Sequence, residues 1–122
     1  MPILLGNTFP LSLIRRCVAI RPARLAELHE RTADQGVVSF WGHANTSAAA
    51  EAILGFNPTP KTDRPAVTLD ENLLPMLEGM TFYEVWVLSP DYVQGLRPLA
   101  GKEVTPAQIT GWQVLRITFQ PT

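Results

Sequence analysis

A chain of 122 residues that is 46% hydrophobic holds enough apolar material for one packed domain, and too much for a disordered tail. Ten basic residues against eleven acidic ones give a net charge of −1 at pH 7. That balance argues against a general nucleic-acid coat protein, while a small anionic ligand needs only a local cluster, which composition does not exclude. The single cysteine, Cys17, excludes an internal disulfide and a cysteine-based zinc site. Its place in Cys17-Val18-Ala19-Ile20 predicts an inert core thiol. No apolar run approaches the roughly 18 to 20 residues of a membrane span. The start, Met1-Pro2-Ile3-Leu4-Leu5-Gly6-Asn7, lacks the basic residues and small-residue cleavage site of a secretory signal, so the expected compartment is the cytoplasm.

In chain order, Ile3 to Leu5 predicts a short strand closed by Gly6-Asn7, and Leu13 to Ile20 a second extended segment interrupted by Arg15-Arg16. Pro22 suits the first turn of a helix on which Leu25, Leu28 and Thr32 recur at helical spacing until Gly36 stops it. Val37 to Trp41, β-branched and aromatic between glycines, reads as a strand. Asn45 or Thr46 can cap the next helix, with Ala49, Ala52, Ile53 and Phe56 as its apolar face. Pro58, Pro60 and Pro65 make a loop, and Ala66 to Leu69 a strand. Leu73 to Leu77 fits either a hairpin arm interrupted by Pro75 or a short helical turn. Phe82 to Leu88 alternates as a strand, Pro90 to Ala100 is a loop, Thr105-Pro106 opens a short helix through Ile109, and Trp112 to Phe119 closes the domain as a strand. The expected fold is therefore α+β: a single domain over residues 1–122, with a mixed β-sheet and helices mainly on one face.

The residue of greatest chemical interest is His43, in Val38-Ser39-Phe40-Trp41-Gly42-His43-Ala44-Asn45-Thr46. It falls where a strand hands over to a helix N-terminus, whose free N–H groups and dipole attract anions. A proton carrier beside an anion cradle suits phosphodiester chemistry, although a turn histidine that merely caps a backbone group fits the same pattern. His29, between Leu28 and Glu30, reads as a solvated or boundary histidine on the first helix, and two histidines without acidic residues at metal-ligand spacing make no metal site. Arg64 and Arg97 stand in loops flanked by proline or glycine, where arginine is a solvated charge or a bidentate phosphate ligand. Arg15 and Arg16 would face opposite ways on a strand, one exposed and one towards an edge, so Arg16→Ala is expected to change little. Trp41, Trp86 and Trp112 fall in strands and read as core, with stacking on a base as the alternative.

Several of these segments, in order, resemble the ring-nuclease family of viral and bacterial type III anti-CRISPR proteins. Asn7-Thr8-Phe9 after a short apolar strand is similar to the family's opening. Ser39-Phe40-Trp41-Gly42-His43-Ala44-Asn45-Thr46 resembles its serine, Gly-His and threonine turn before a helix. Arg64 at the head of an alternating strand, and Arg97 followed by Gly101-Lys102, Thr105 and Ile109, are similar in spacing to the rest of the pattern.

The resemblance implies a homodimer that closes over a cyclic oligoadenylate, cyclic tetra-adenylate in the first instance, and cleaves it without metal or cofactor. On that reading His43 and Arg97 are catalytic, while Asn7, Ser12, Asn45 and Arg64 bind ligand. Ser12 stands in for a family serine whose place is taken by Pro10, and Ala100 occupies the place of a family glutamate. Two other readings remain at this stage: a non-catalytic nucleotide- or nucleic-acid-binding module on the same fold, and a protein-interaction domain without ligand.

Overall fold

The computed structural model describes residues 2–42, 44–60, 66–92 and 105–120. Within them, β1 (Ile3–Gly6), β2 (Val18–Ala23), β3 (Val37–Ser39), β7 (Glu84–Tyr92) and β8 (Ile109–Phe119) form a mixed sheet in the order β2-β8-β7-β1-β3. Strand β1 runs parallel to β3 and β7, and β8 runs antiparallel to β7 and β2. The short strands β4 (Thr68–Leu69), β5 (Pro75–Leu77) and β6 (Met80–Thr81) make a separate antiparallel sheet of three. Helices α1 (Leu25–Gln35) and α2 (Ala44–Leu54) complete the α+β architecture.

Both helices lie on one face of the large sheet. Leu28 of α1 and Ala50 and Leu54 of α2 pack with Ile3, Leu5, Trp86, Leu88 and Val114, and Trp41 joins them. The alternate residues Leu4, Val85, Val87, Ile117 and Phe119 point to the other face, where they meet Leu77 of the small sheet, Leu74 just before β5, Phe82 and Phe40. The centre of β7 is therefore buried on both sides, as its uninterrupted buried run from Glu84 to Leu88 records. The small sheet leaves part of this second face uncovered: Ile20, Leu115 and Leu11 are 50%, 36% and 81% exposed.

Several sequence expectations need correction. Pro22 does not open α1. It sits in β2, opposite Leu115, and β2 is an edge strand, where the missing N–H breaks no ladder. Helix α1 begins after Arg24, whose N–H donates to Glu27 Oε2 at 3.2 Å. The segment from Leu13 to Ile20 is not one strand, because a 3-10 turn at Leu11–Leu13 and an irregular stretch precede β2. Cys17 is exposed rather than in the core. Asn45 and Thr46 are not caps, since α2 starts at Ala44 and holds both inside its first turn. Ala52 is exposed, and the buried stripe of α2 runs instead through Thr46, Ala49, Ala50 and Leu54, with Ile53 packed at its margin.

Strand β7 continues through Pro90 to Tyr92, with a bulge at Asp91/Tyr92, into the expected loop, whose remainder at 93–100 lies outside the described residues. Leu73 to Leu77 resolves as the hairpin arm, with Pro75 at the start of β5. Arg16 is not a freely exposed charge: its Nη1 donates to the Asn72 carbonyl at 3.0 Å and its Nη2 to the Gln120 carbonyl.

Candidate functional site

The parallel strands β1 and β3 finish side by side, with Leu5 opposite Ser39. Beyond them the chain departs to opposite faces. After β1, Phe9 packs on the second face, edge-on to Phe40 and Phe119 at ring separations of 6.1 and 6.2 Å. After β3, the chain enters α2 on the first face. A crevice at the carboxyl ends of parallel strands whose connections diverge is where open α/β sheets place their ligands.

Each described residue between β3 and α2, Phe40, Trp41 and Gly42, is fastened by its own partner. The Phe40 N–H donates to the Leu5 carbonyl at 2.8 Å, which carries the β1–β3 pairing one residue past the strand. The Trp41 N–H donates to Ser39 Oγ at 3.2 Å, and Ser39 Oγ in turn donates to the Pro58 carbonyl. The indole Nε1 of Trp41 donates to Thr46 Oγ1 at 3.1 Å inside the core. The Gly42 N–H donates to Asn7 Oδ1 at 2.9 Å. The serine and the threonine of the Ser39–Thr46 motif therefore both act on Trp41, one on its backbone and one on its ring. Below the turn, Gly6 is obligatory for space: a Cβ there would stand 2.4 Å from two carbons of the Phe40 ring.

Asn7 is half-buried and also lines a groove of about 220 Å³ on the second face, walled by Leu11, Ile14, Ile20 and Leu115 and rimmed by Thr8 and Ser89. Ser12 stands on the exposed 3-10 turn beside this groove; its carbonyl accepts a bond from Arg15 Nε at 3.1 Å. Asn45 lies in the first turn of α2 by its backbone. Its side chain, and all of His43, Arg64 and Arg97, fall outside the described residues, so their expected convergence does too. What the structure brings together is the frame around position 43: Asn7, Gly42, Trp41, Ser39 and Thr46. The sequence predicts Trp41 as core, which it is, and Thr46 as a helix cap, where the structure makes it the partner of the Trp41 ring; nothing in the pattern gave Ser39 its bond to the Trp41 N–H. His29 is exposed, as expected.

At the far end of the sheet, Glu84 is buried and bonded on every side. It accepts from Trp86 Nε1 at 2.9 Å, from Arg31 Nε at 3.0 Å and from Arg116 Nε at 3.0 Å. The Arg116 guanidinium lies 5.6 Å from the centre of the Trp86 ring. Burial pushes the Glu84 carboxyl up, and the bonds from Trp86, Arg31 and Arg116 outweigh it, leaving the pKa below the ordinary glutamate value. This network joins α1 to β7 and β8 and belongs to the scaffold.

No established family pattern and no curated protein sequence matches the chain. Among solved structures the fold is similar to that of B116 of Sulfolobus turreted icosahedral virus, with a TM-score of 0.60 over 97% of this chain and 99% of that one. At 14% identity the likeness concerns the fold, which this chain shares with a viral protein.

Proposed function

We propose that the protein is a metal-independent ring nuclease that opens a cyclic oligoadenylate messenger, cyclic tetra-adenylate in the first instance, at the carboxyl ends of β1 and β3. The observation that carries this reading is the bond from Gly42 to Asn7 between the ends of β1 and β3, one residue before His43 in the chain and two before the start of α2. It is supported by the resemblance of the Asn7, Ser39–Thr46, Arg64 and Arg97 segments to the type III anti-CRISPR ring nucleases.

In the proposed reaction a ribose 2′-hydroxyl attacks the adjacent phosphate in line and gives up its proton to solvent. The bond from phosphorus to the 5′-oxygen breaks, and His43 supplies the proton that the departing oxygen takes. The products are a 2′,3′-cyclic phosphate and a 5′-hydroxyl. Holding the 2′-hydroxyl in line lowers the barrier by removing orientational freedom. Histidine is the side chain whose unperturbed pKa suits a general acid near neutrality. The α2 dipole disfavours imidazolium and bound phosphate favours it, so the acid form gains once ligand arrives. Arg64 and Arg97 are assigned to the phosphates, and Asn7, Ser12 and Asn45 to ligand contacts.

The test is incubation of the purified protein with labelled cyclic tri-, tetra- and hexa-adenylate in EDTA. Linear products ending in cyclic phosphate are expected. Tight binding without cleavage would replace the proposal with a non-catalytic binding module on the same fold, a result that Pro10 and Ala100 would then explain.

A further inference from the structure

We infer that Asn7 is a positioning residue: its side-chain oxygen holds the Gly42 backbone in place, directly ahead of position 43 in the chain, and does so before any ligand arrives. This rests on the functional reading above for its catalytic consequence, though not for the contact itself. The Gly42 N–H is a donor, so the atom of Asn7 that faces it at 2.9 Å must be the carboxamide oxygen. That assignment commits Oδ1 to the turn and leaves Nδ2 as the half of the amide that could meet a phosphate or a ribose.

Gly42 needs such a tether. It is exposed, it has no side chain to pack, and among the described residues a Cβ built on it would meet a single atom within 4 Å, Asn7 Oδ1 at 3.8 Å. Sterics therefore do not fix its backbone, and glycine is the residue with the most conformational freedom to lose. Phe40 and Trp41 are anchored by backbone pairing, by Ser39 and by Thr46, so Gly42 is the loosest of the three residues leading into position 43. A general acid must sit within a fraction of an ångström of its leaving oxygen, and an error of about 1 Å can cost roughly 10²-fold in rate.

The experiment compares wild type, Asn7→Ala and Asn7→Asp. Aspartate keeps an oxygen for the Gly42 N–H and loses the Nδ2 donor, so the two halves of the amide are separated. In ligand-free protein, hydrogen exchange at the Gly42 amide should accelerate about tenfold or more in Asn7→Ala and return towards wild type in Asn7→Asp. With cyclic tetra-adenylate, kcat should fall on the order of 10- to 100-fold in Asn7→Ala and recover in Asn7→Asp, while KM rises in both. Unchanged Gly42 exchange in Asn7→Ala overturns the inference, as does a variant that loses KM alone with kcat intact. If wild type cleaves no cyclic oligoadenylate, the nuclease reading fails by itself, and Gly42 exchange still decides whether Asn7 holds the turn.

Discussion

At Gly6 the α-carbon has room for hydrogen and nothing larger, because the Phe40 ring lies across it. Gly6→Ala should therefore destabilise the protein by about 1–3 kcal/mol, the usual penalty for overpacking, read as a lower urea midpoint with unchanged slope. An unchanged midpoint would mean that the Phe40 ring moves aside without penalty. His43→Ala should reduce turnover on the order of 10²- to 10⁴-fold while leaving affinity for cyclic tetra-adenylate nearly intact, since a general acid acts on the leaving oxygen in the transition state. Wild-type rates should persist in EDTA and fall as pH rises past the histidine pKa, where the acid form is depleted. A His43→Ala protein that cleaves normally, or a wild type that needs Mg²⁺, removes the proposed mechanism. At this scale the sequence pointed to the Ser39–Thr46 segment through its resemblance, but not to what its serine and threonine do. A hydrogen bond from a tryptophan ring to a threonine five residues on is a matter of three-dimensional packing, and no spacing rule announces it.

Between elements, the contacts that decide stability are the ones that chain patterning conveys least. Glu84 reads as a polar position on an alternating strand, yet it is the anchor at which α1 meets β7 and β8. Removing it leaves Arg31 and Arg116 partly buried without their shared partner, so Glu84→Ala should cost about 3 kcal/mol, the lower end for a broken buried pair given the partial exposure of both arginines. Its folded pKa lies below the ordinary value of 4.5. The stability it contributes is thus complete above that value and is lost as pH falls through the lowered folded pKa. Acid unfolding followed by circular dichroism should show a flatter pH dependence below pH ~5 in Glu84→Gln than in wild type. Arg16 gives the companion case. It clips the β4–β5 turn to Gln120, the residue after β8, so Arg16→Ala should lower stability by about 1.5 kcal/mol, against almost nothing for the exposed Arg15→Ala. Equal thermal midpoints for the two variants would refute that clip. Element type was legible where one rule governed, as in α1 with its 3.6-residue spacing and β7 with its alternation. It was misread at Pro22, where the preference of proline for a helix start competes with its tolerance on an edge strand, and only the sheet order decides between them.

For the whole molecule, the proposed ligand sets the symmetry. A ring of four equivalent nucleotides presents two identical halves, and a two-fold homodimer offers each half the same crevice. Titration of the cleavage-deficient His43→Ala protein with cyclic tetra-adenylate should therefore saturate at one ring for every two chains, with the dimer seen by sedimentation. Because the ligand binds only folded protein, a free concentration of 100 times Kd should stabilise it by about 2.7 kcal/mol. For a domain of this size that corresponds to a rise in thermal midpoint on the order of 10 °C. Cyclic hexa-adenylate, with a different number of repeats around the ring, should produce a smaller rise if the crevices are spaced for four. One ring per chain, together with a monomer at every concentration, would remove the two-fold arrangement and require a single crevice to enclose the ring alone.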